Sequence, residues 1–195
     1  LRIRAVIGIS FFVAGCASHD ESLGCAELVV SCPGGEAEQK WWLAKEPTSR
    51  QDLQIQSGES GCGSWLAFIK DGASARYDNV DLGSFDGEMR LRVVVSADDR
   101  FTDGGTLTLF ADDMTTPVTS CPIGKTGGWF NWLVVDCGEL PLGGLHSLKF
   151  QFNGTDPADP YVFNLAAFGV VRSRSPDCTV TGPDVGDPNQ VKTND

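Results

Sequence analysis

The chain has 195 residues and a mass of 20.9 kDa, enough to bury one sizeable core and too few for two full domains with linkers. A formal charge of −11 and a pI near 4.5 set the surface against phosphate backbones, so nucleic-acid binding is not expected. Only two histidines occur, His19 and His146, which leaves little room for a His-based hydrolytic triad or a multi-His metal site.

In chain order, Arg2 and Arg4 precede an apolar run that closes on small residues. This is the layout of a secretory signal, and the run is shorter than the roughly 20 apolar residues a spanning helix needs. It ends in Val13-Ala14-Gly15-Cys16, which resembles the bacterial lipobox, with Val13 where leucine is commoner. The resemblance implies a lipoprotein signal peptide over residues 1–15, cut before a lipid-bearing Cys16. Residues 16–31 are then a lipid-anchored spacer. The implied location is the bacterial cell envelope, the outer membrane rather than the inner in view of Ser18, or else the extracellular space. The alternative is an ordinary cleaved signal and an incidental cysteine. Removing residues 1–15 takes two arginines and no acid, so any membrane attachment rests on acyl chains and not on charge.

Seven cysteines less Cys16 leave six: Cys25, Cys32, Cys62, Cys121, Cys137 and Cys178. An even count in an exported chain favours disulfides, and the absence of any Cys-x-x-Cys spacing argues against zinc. Cys121 and Cys137 flank a glycine-containing loop at the ends of two expected strands and are predicted to be bonded. Cys25, Cys32, Cys62 and Cys178 are expected to pair among themselves in an order the spacing leaves open.

Beyond residue 20 the pattern is that of strands. Met89, Leu91, Val93 and Val95 alternate with Arg90, Arg92 and Val94, and Leu107 and Leu109 with Thr106 and Thr108. Leu148, Phe150 and Phe152 alternate with Lys149 and Gln151. Turn chemistry separates these runs: Asp86-Gly87, Asp103-Gly104-Gly105, Gly143-Gly144 and Asn153-Gly154. The expectation is an all-β fold, one β-sandwich (jelly-roll) domain over residues 32–172. Residues 173–195 carry little apolar surface to offset the entropy of ordering and read as a disordered tail.

Four patterns stand in order along that domain: Glu36-Ala37-Glu38; Leu66-Ala67-Phe68-Ile69 with Gly72 and Tyr77; Thr126-Gly127-Gly128-Trp129-Phe130-Asn131-Trp132; and Phe163-Asn164-Leu165 with Phe168. Paired glycines permit a sharp turn, after which Trp129 can be presented at a loop tip while Trp132 enters an apolar strand. An exposed aromatic plane suits the C–H face of a sugar ring. Glu36 and Glu38, two apart on an expected strand, project from one face and could share a calcium ion between their oxygens. The alternative for them is a solvated face.

Together these patterns resemble the carbohydrate-binding modules of family 6, over residues 35–171. The resemblance implies that Phe68 and Trp129 clamp a sugar ring and that Asn164 supplies a polar contact. It also implies a structural calcium held by Glu36, Glu38 and an aspartate of the last strand, a position at which this chain has Ala166, with Ala167 for the tryptophan that follows it. Phe68 stands where the family commonly has tyrosine; the alternatives for Phe68 and Trp129 are packing, and for Asn164 a backbone contact.

The expected function is non-catalytic binding of a polysaccharide or oligosaccharide, a β-linked glycan, by a monomeric membrane-anchored lipoprotein. The alternative is an envelope structural or protein-interaction sandwich without sugar binding. A glycoside hydrolase needs two carboxylates held across a cleft, and pairs such as Asp98-Asp99, Asp112-Asp113 or Asp156 with Asp159 lie in no motif that would hold them. No Gly-x-Ser-x-Gly elbow or Walker-type loop is present.

Overall fold

The computed structural model describes residues 29–31, 39–58, 63–84, 89–100, 103–154, 156, 158–172 and 179–181. The expected signal peptide, Cys16, the Glu36 and Glu38 pair, and Cys25, Cys32, Cys62 and Cys178 lie outside the described residues.

Every regular element among the described residues is a strand. In order these are β1 (Val29–Ser31), β2 (Gln39–Leu43), β3 (Ser49–Gln51), β4 (Gln54–Ser57), β5 (Ser64–Ala67), β6 (Ser74–Asp81) and β7 (Met89–Ala97). They continue with β8 (Gly105–Ala111), β9 (Thr119–Ile123), β10 (Gly128–Glu139), β11 (Leu145–Gly154), β12 (Asn164–Arg172) and β13 (Thr179–Thr181). Two antiparallel sheets form the expected sandwich. The smaller runs β3-β6-β11-β8-β9; the larger runs β10-β7-β12-β5-β4, with β2 pairing β12 beside β5.

The alternation read from sequence decides what enters the space between the sheets. Met89, Leu91, Val93 and Val95 face Leu107, Leu109, Leu148, Phe150 and Phe152 in one buried cluster, joined by Phe163 and Phe168. Full burial of each such side chain stabilises by about 1.5–3 kcal/mol. Within this cluster Phe168 packs on Tyr77, Phe150 and Trp42, and the Tyr77 hydroxyl donates to Ala44 O at 2.7 Å.

The outer face of the larger sheet is partly apolar as well. Trp65, Ala67, Val94, Trp132, Ala166 and Ala167 form a second buried cluster, with Val30, Trp41 and Val134 packed against it. Ala166 and Ala167 both belong to it because the β12–β7 register shifts between Leu165 and Ala167, so the side-chain alternation slips there. Trp132 is thus buried as the sequence suggested, but in this outer cluster and not between the sheets.

Val30 belongs to a two-stranded ribbon, β1 with β13, paired Val29↔Thr181, Val30↔Val180 and Ser31↔Thr179. Residues 29–31 and 179–181 fall in stretches that sequence composition assigns to spacer and disordered tail. Val-Val and Thr-Val-Thr are short but β-branched, and each supplies the other's hydrogen-bonding edge, which neither segment could do alone.

The predicted bond between Cys121 and Cys137 is present, with Cα atoms 4.7 Å apart. β9 and β10 are edge strands of different sheets, so this disulfide staples the two layers along one side of the sandwich.

Candidate functional site

Register places the three predicted sugar-contacting residues at one end of the larger sheet. Leu66 of β5 pairs with Leu165 of β12, Asn164 with Ser96 at the end of β7, and Gly128 at the start of β10 with Ala97. Phe68 directly follows β5, Asn164 opens β12, and Trp129 is the second residue of β10. Phe68 and Trp129 therefore stand on either side of Asn164, three strand spacings apart at the backbone, about 14 Å.

The loop before Trp129 is pinned to the end of β7. The buried Thr126 hydroxyl accepts from Ala97 N at 2.8 Å and reaches Ala97 O at 3.1 Å, while Thr126 N donates to the same carbonyl. Gly127 has φ 93°, a conformation that favours glycine, and its N–H donates to Asp99 Oδ1 at 3.0 Å. The Asn131 side-chain amide closes the loop by donating to Thr126 O. Of the two glycines, only Gly127 is required by backbone conformation. A Cβ on Gly128 would meet open space, so that residue leaves the surface before Trp129 bare.

Trp129 is half-buried. The β10–β7 register shifts between Gly128 and Leu133, which takes this stretch out of the regular ladder. The Trp129 carbonyl accepts instead from two side chains, Ser96 Oγ at 2.6 Å and Asn164 Nδ2 at 3.2 Å. Asn164 Nδ2 also lies 3.3 Å from Ser96 Oγ. Asn164 is only 4% exposed, and its amide nitrogen is engaged in bracing the tryptophan backbone.

Phe68 is 40% exposed and holds φ 51°, in the left-handed region that non-glycine residues rarely occupy. It is therefore not a core residue. Its ring meets Tyr161 edge-on, centroids 5.4 Å apart, and Val162 N donates to Ile69 O at 2.9 Å, tying the two loops together. Tyr161 was not singled out from the sequence. An aromatic between Pro160 and the apolar Val162-Phe163 pair was the available signal.

The charges around this end belong to the loop framework. Asp98 accepts from Arg100 side-chain and backbone donors, which hold its carboxyl below the usual range despite burial. Lys125 is held above its ordinary value chiefly by Asp103, 2.6 Å away. Ala166, at the position where the resemblance called for a third calcium ligand, is a buried methyl in the outer cluster and offers no carboxylate, and its backbone oxygen accepts from Ala44 N at 2.9 Å. Among the described residues no group of three His, Cys, Asp or Glu side chains could hold a metal ion.

The sequence profile described as carbohydrate binding module (family 6) matches residues 44–172. Among solved structures, the chain is similar to a family 6 carbohydrate-binding module from Clostridium cellulolyticum in complex with xylose. Identity is 27% and the TM-score 0.56, over 66% of this chain and 94% of the other. It is similar in fold to a β-1,3-glucan binding module of the family from Bacillus halodurans, at 23% identity and TM-score 0.57, over 69% of this chain and 96% of the other. A module from Clostridium stercorarium in complex with cellobiose gives 23% identity and TM-score 0.57, over 69% of this chain and 94% of the other. No curated protein matches the chain significantly.

Proposed function

The chain belongs to carbohydrate-binding module family 6, and from that premise we propose that it binds a β-linked glycan by stacking one sugar ring between Phe68 and Trp129, without catalysis. Membership of the family and the sugar-bound relatives support carbohydrate binding as such. The choice of residues rests on a single observation. A half-exposed ring on left-handed backbone and a tryptophan whose backbone carbonyl is held by two buried side chains lie at the same end of one sheet.

The division of labour follows from the contacts. The rings exclude water from the flat C–H faces of the sugar, and the hydroxyls remain free to bond. Asn164 fixes Trp129 through its amide nitrogen. Nothing among the described residues donates to its Oδ1, which is the oxygen offered to a sugar hydroxyl. Recognition of this kind proceeds through stacking and hydrogen bonds. The proposal keeps Glu36 and Glu38 as a structural calcium pair, with the third oxygen coming from somewhere other than Ala166. It also keeps Cys16 as the lipid-bearing residue of a monomeric protein at the bacterial envelope, the outer membrane in preference to the inner.

The test is an array of xylo- and gluco-oligosaccharides probed with the wild-type chain, followed by calorimetry on the best ligand with Trp129→Ala. The substitution is expected to weaken binding by about 1–3 kcal/mol, the worth of a well-placed aromatic anchor. Undiminished affinity would place the sugar elsewhere. A blank array with a folded protein would favour the other reading, an interaction domain that retains the sandwich and has lost the cleft. Steady release of reducing ends from soluble xylan or β-glucan would overturn the non-catalytic assignment.

A further inference from the structure

The ribbon of β1 and β13 lies outside the region matched by the family, and its register has a covalent consequence. The pairs Val29↔Thr181, Val30↔Val180 and Ser31↔Thr179 advance one residue against one without a break. Extended by one step, that register would set Cys32 against Cys178, which directly follow Ser31 and precede Thr179 in the sequence and lie outside the described residues. We propose that Cys32 and Cys178 form a disulfide that fastens the two ends of the domain to each other across its outer face.

Three observations carry this. Directly opposed residues of an antiparallel pair have Cα atoms about 4.5–5.5 Å apart, within the range a disulfide spans. Val30 packs against the Trp65, Trp132 and Val94 cluster, and side chains two apart on a strand share a face, so a ribbon extended by one residue would put Cys32 on that same face. The same chain already carries one oxidised cysteine pair, Cys121 with Cys137, joining edge strands.

Bond formation is a thiol–disulfide exchange. The Cys32 and Cys178 thiols lose two protons and two electrons, and the disulfide of a dithiol oxidant in the exported compartment takes them up to become two thiols. The closed loop encloses both sheets, so the clasp ties the first strand to the last over the aromatic cluster. This assignment also separates the pairing of Cys32 and Cys178 from that of Cys25 and Cys62, which the count alone leaves open.

Peptide mapping of the full exported chain tests it. The protein is denatured without reductant, free thiols are alkylated, and the proteolytic fragments are weighed before and after reduction. The expected result is one linked species containing Cys32 and Cys178, which separates on reduction into two peptides that can then be alkylated. A link from Cys32 to Cys25 or Cys62, or an alkylated Cys32 or Cys178 before reduction, would overturn the proposal. In Cys178→Ser, Cys32 should become alkylated while the Cys121–Cys137 link persists. A Cys32 that stays oxidised in that variant speaks against the pairing. The wild-type map needs no variant, so misfolding of Cys178→Ser leaves the proposal open to refutation.

Discussion

Replacing Phe68 separates a binding ring from a packing ring. Its φ of 51° costs a non-glycine residue about 1–2 kcal/mol, which Phe68→Gly recovers. Against this, the ring is 40% exposed, so roughly 60% of the about 1.5–3 kcal/mol for full burial is lost. The edge contact with Tyr161 contributes about another 0.5–1.5 kcal/mol, and glycine adds unfolded-chain entropy of about 0.5–1 kcal/mol. The net expectation for Phe68→Gly is a loss of about 1–2 kcal/mol, well below the about 3–5 kcal/mol of a core Phe→Ala change. Phe68→Ala loses the same ring and keeps most of the backbone strain, so it should be no more stable than the glycine variant. Urea denaturation measures both variants, and calorimetry with the array-selected oligosaccharide measures affinity, which should fall at least tenfold in each. A loss of more than 3 kcal/mol in Phe68→Gly, alanine clearly more stable than glycine, or unchanged affinity would refute the assignment.

Removing the layer staple with Cys121→Ser and Cys137→Ser opens a loop of 16 residues. It should cost about 3 kcal/mol, or a fall of about 6–12 °C in Tm by calorimetry, at about 2–4 °C per kcal/mol. Ser96→Ala removes the hydroxyl that holds the Trp129 carbonyl, and should cost about 1–2 kcal/mol in urea denaturation with a severalfold loss of sugar affinity. The His146 imidazole faces Asp112 Oδ2 at 2.9 Å and Gly143 O at 3.0 Å, and the Asp112 hydrogen bond raises its pKa. The stability from this pair should be full below the ordinary histidine value of about 6.5 and lost as pH rises through the raised one. On the acid side it should be lost as pH falls through the lowered pKa of Asp112. An NMR titration of His146 checks this, with Asp112→Asn returning it toward the ordinary value.

The fold was legible because the alternation of Leu148, Phe150 and Phe152, and of Leu107 and Leu109, admits one inward face. The second apolar face was harder to read. Val94 was a visible outward aliphatic, but the joint burial of Ala166 and Ala167 depends on a register shift that composition does not encode. Thr126 and Gly127 were legible as a motif, and the structure gives each a task that fits its chemistry. Ser96 and Asp99 were not, because what they hold is some thirty residues away in sequence. Tyr161 was missed for a related reason. Its meaning comes from Phe68, a neighbour only after β5 and β12 have paired.

One irregularity of the larger sheet falls at the end that carries Trp129 and Asn164, and it has a physical consequence. A regular ladder satisfies every backbone group but holds each side chain to one of two faces, so no ring can stand over the strand ends. Shifting the β10–β7 register between Gly128 and Leu133 frees the chain around Trp129 from that constraint. It also leaves carbonyls without ladder donors, at about 1–3 kcal/mol for each one buried and unmet. Ser96 and Asn164 meet the carbonyl of Trp129. An aliphatic side chain at either place could not do this. The buried polar pair thus fixes the backbone of Trp129 outside the regular ladder, which is the support that the proposed binding role of its indole requires.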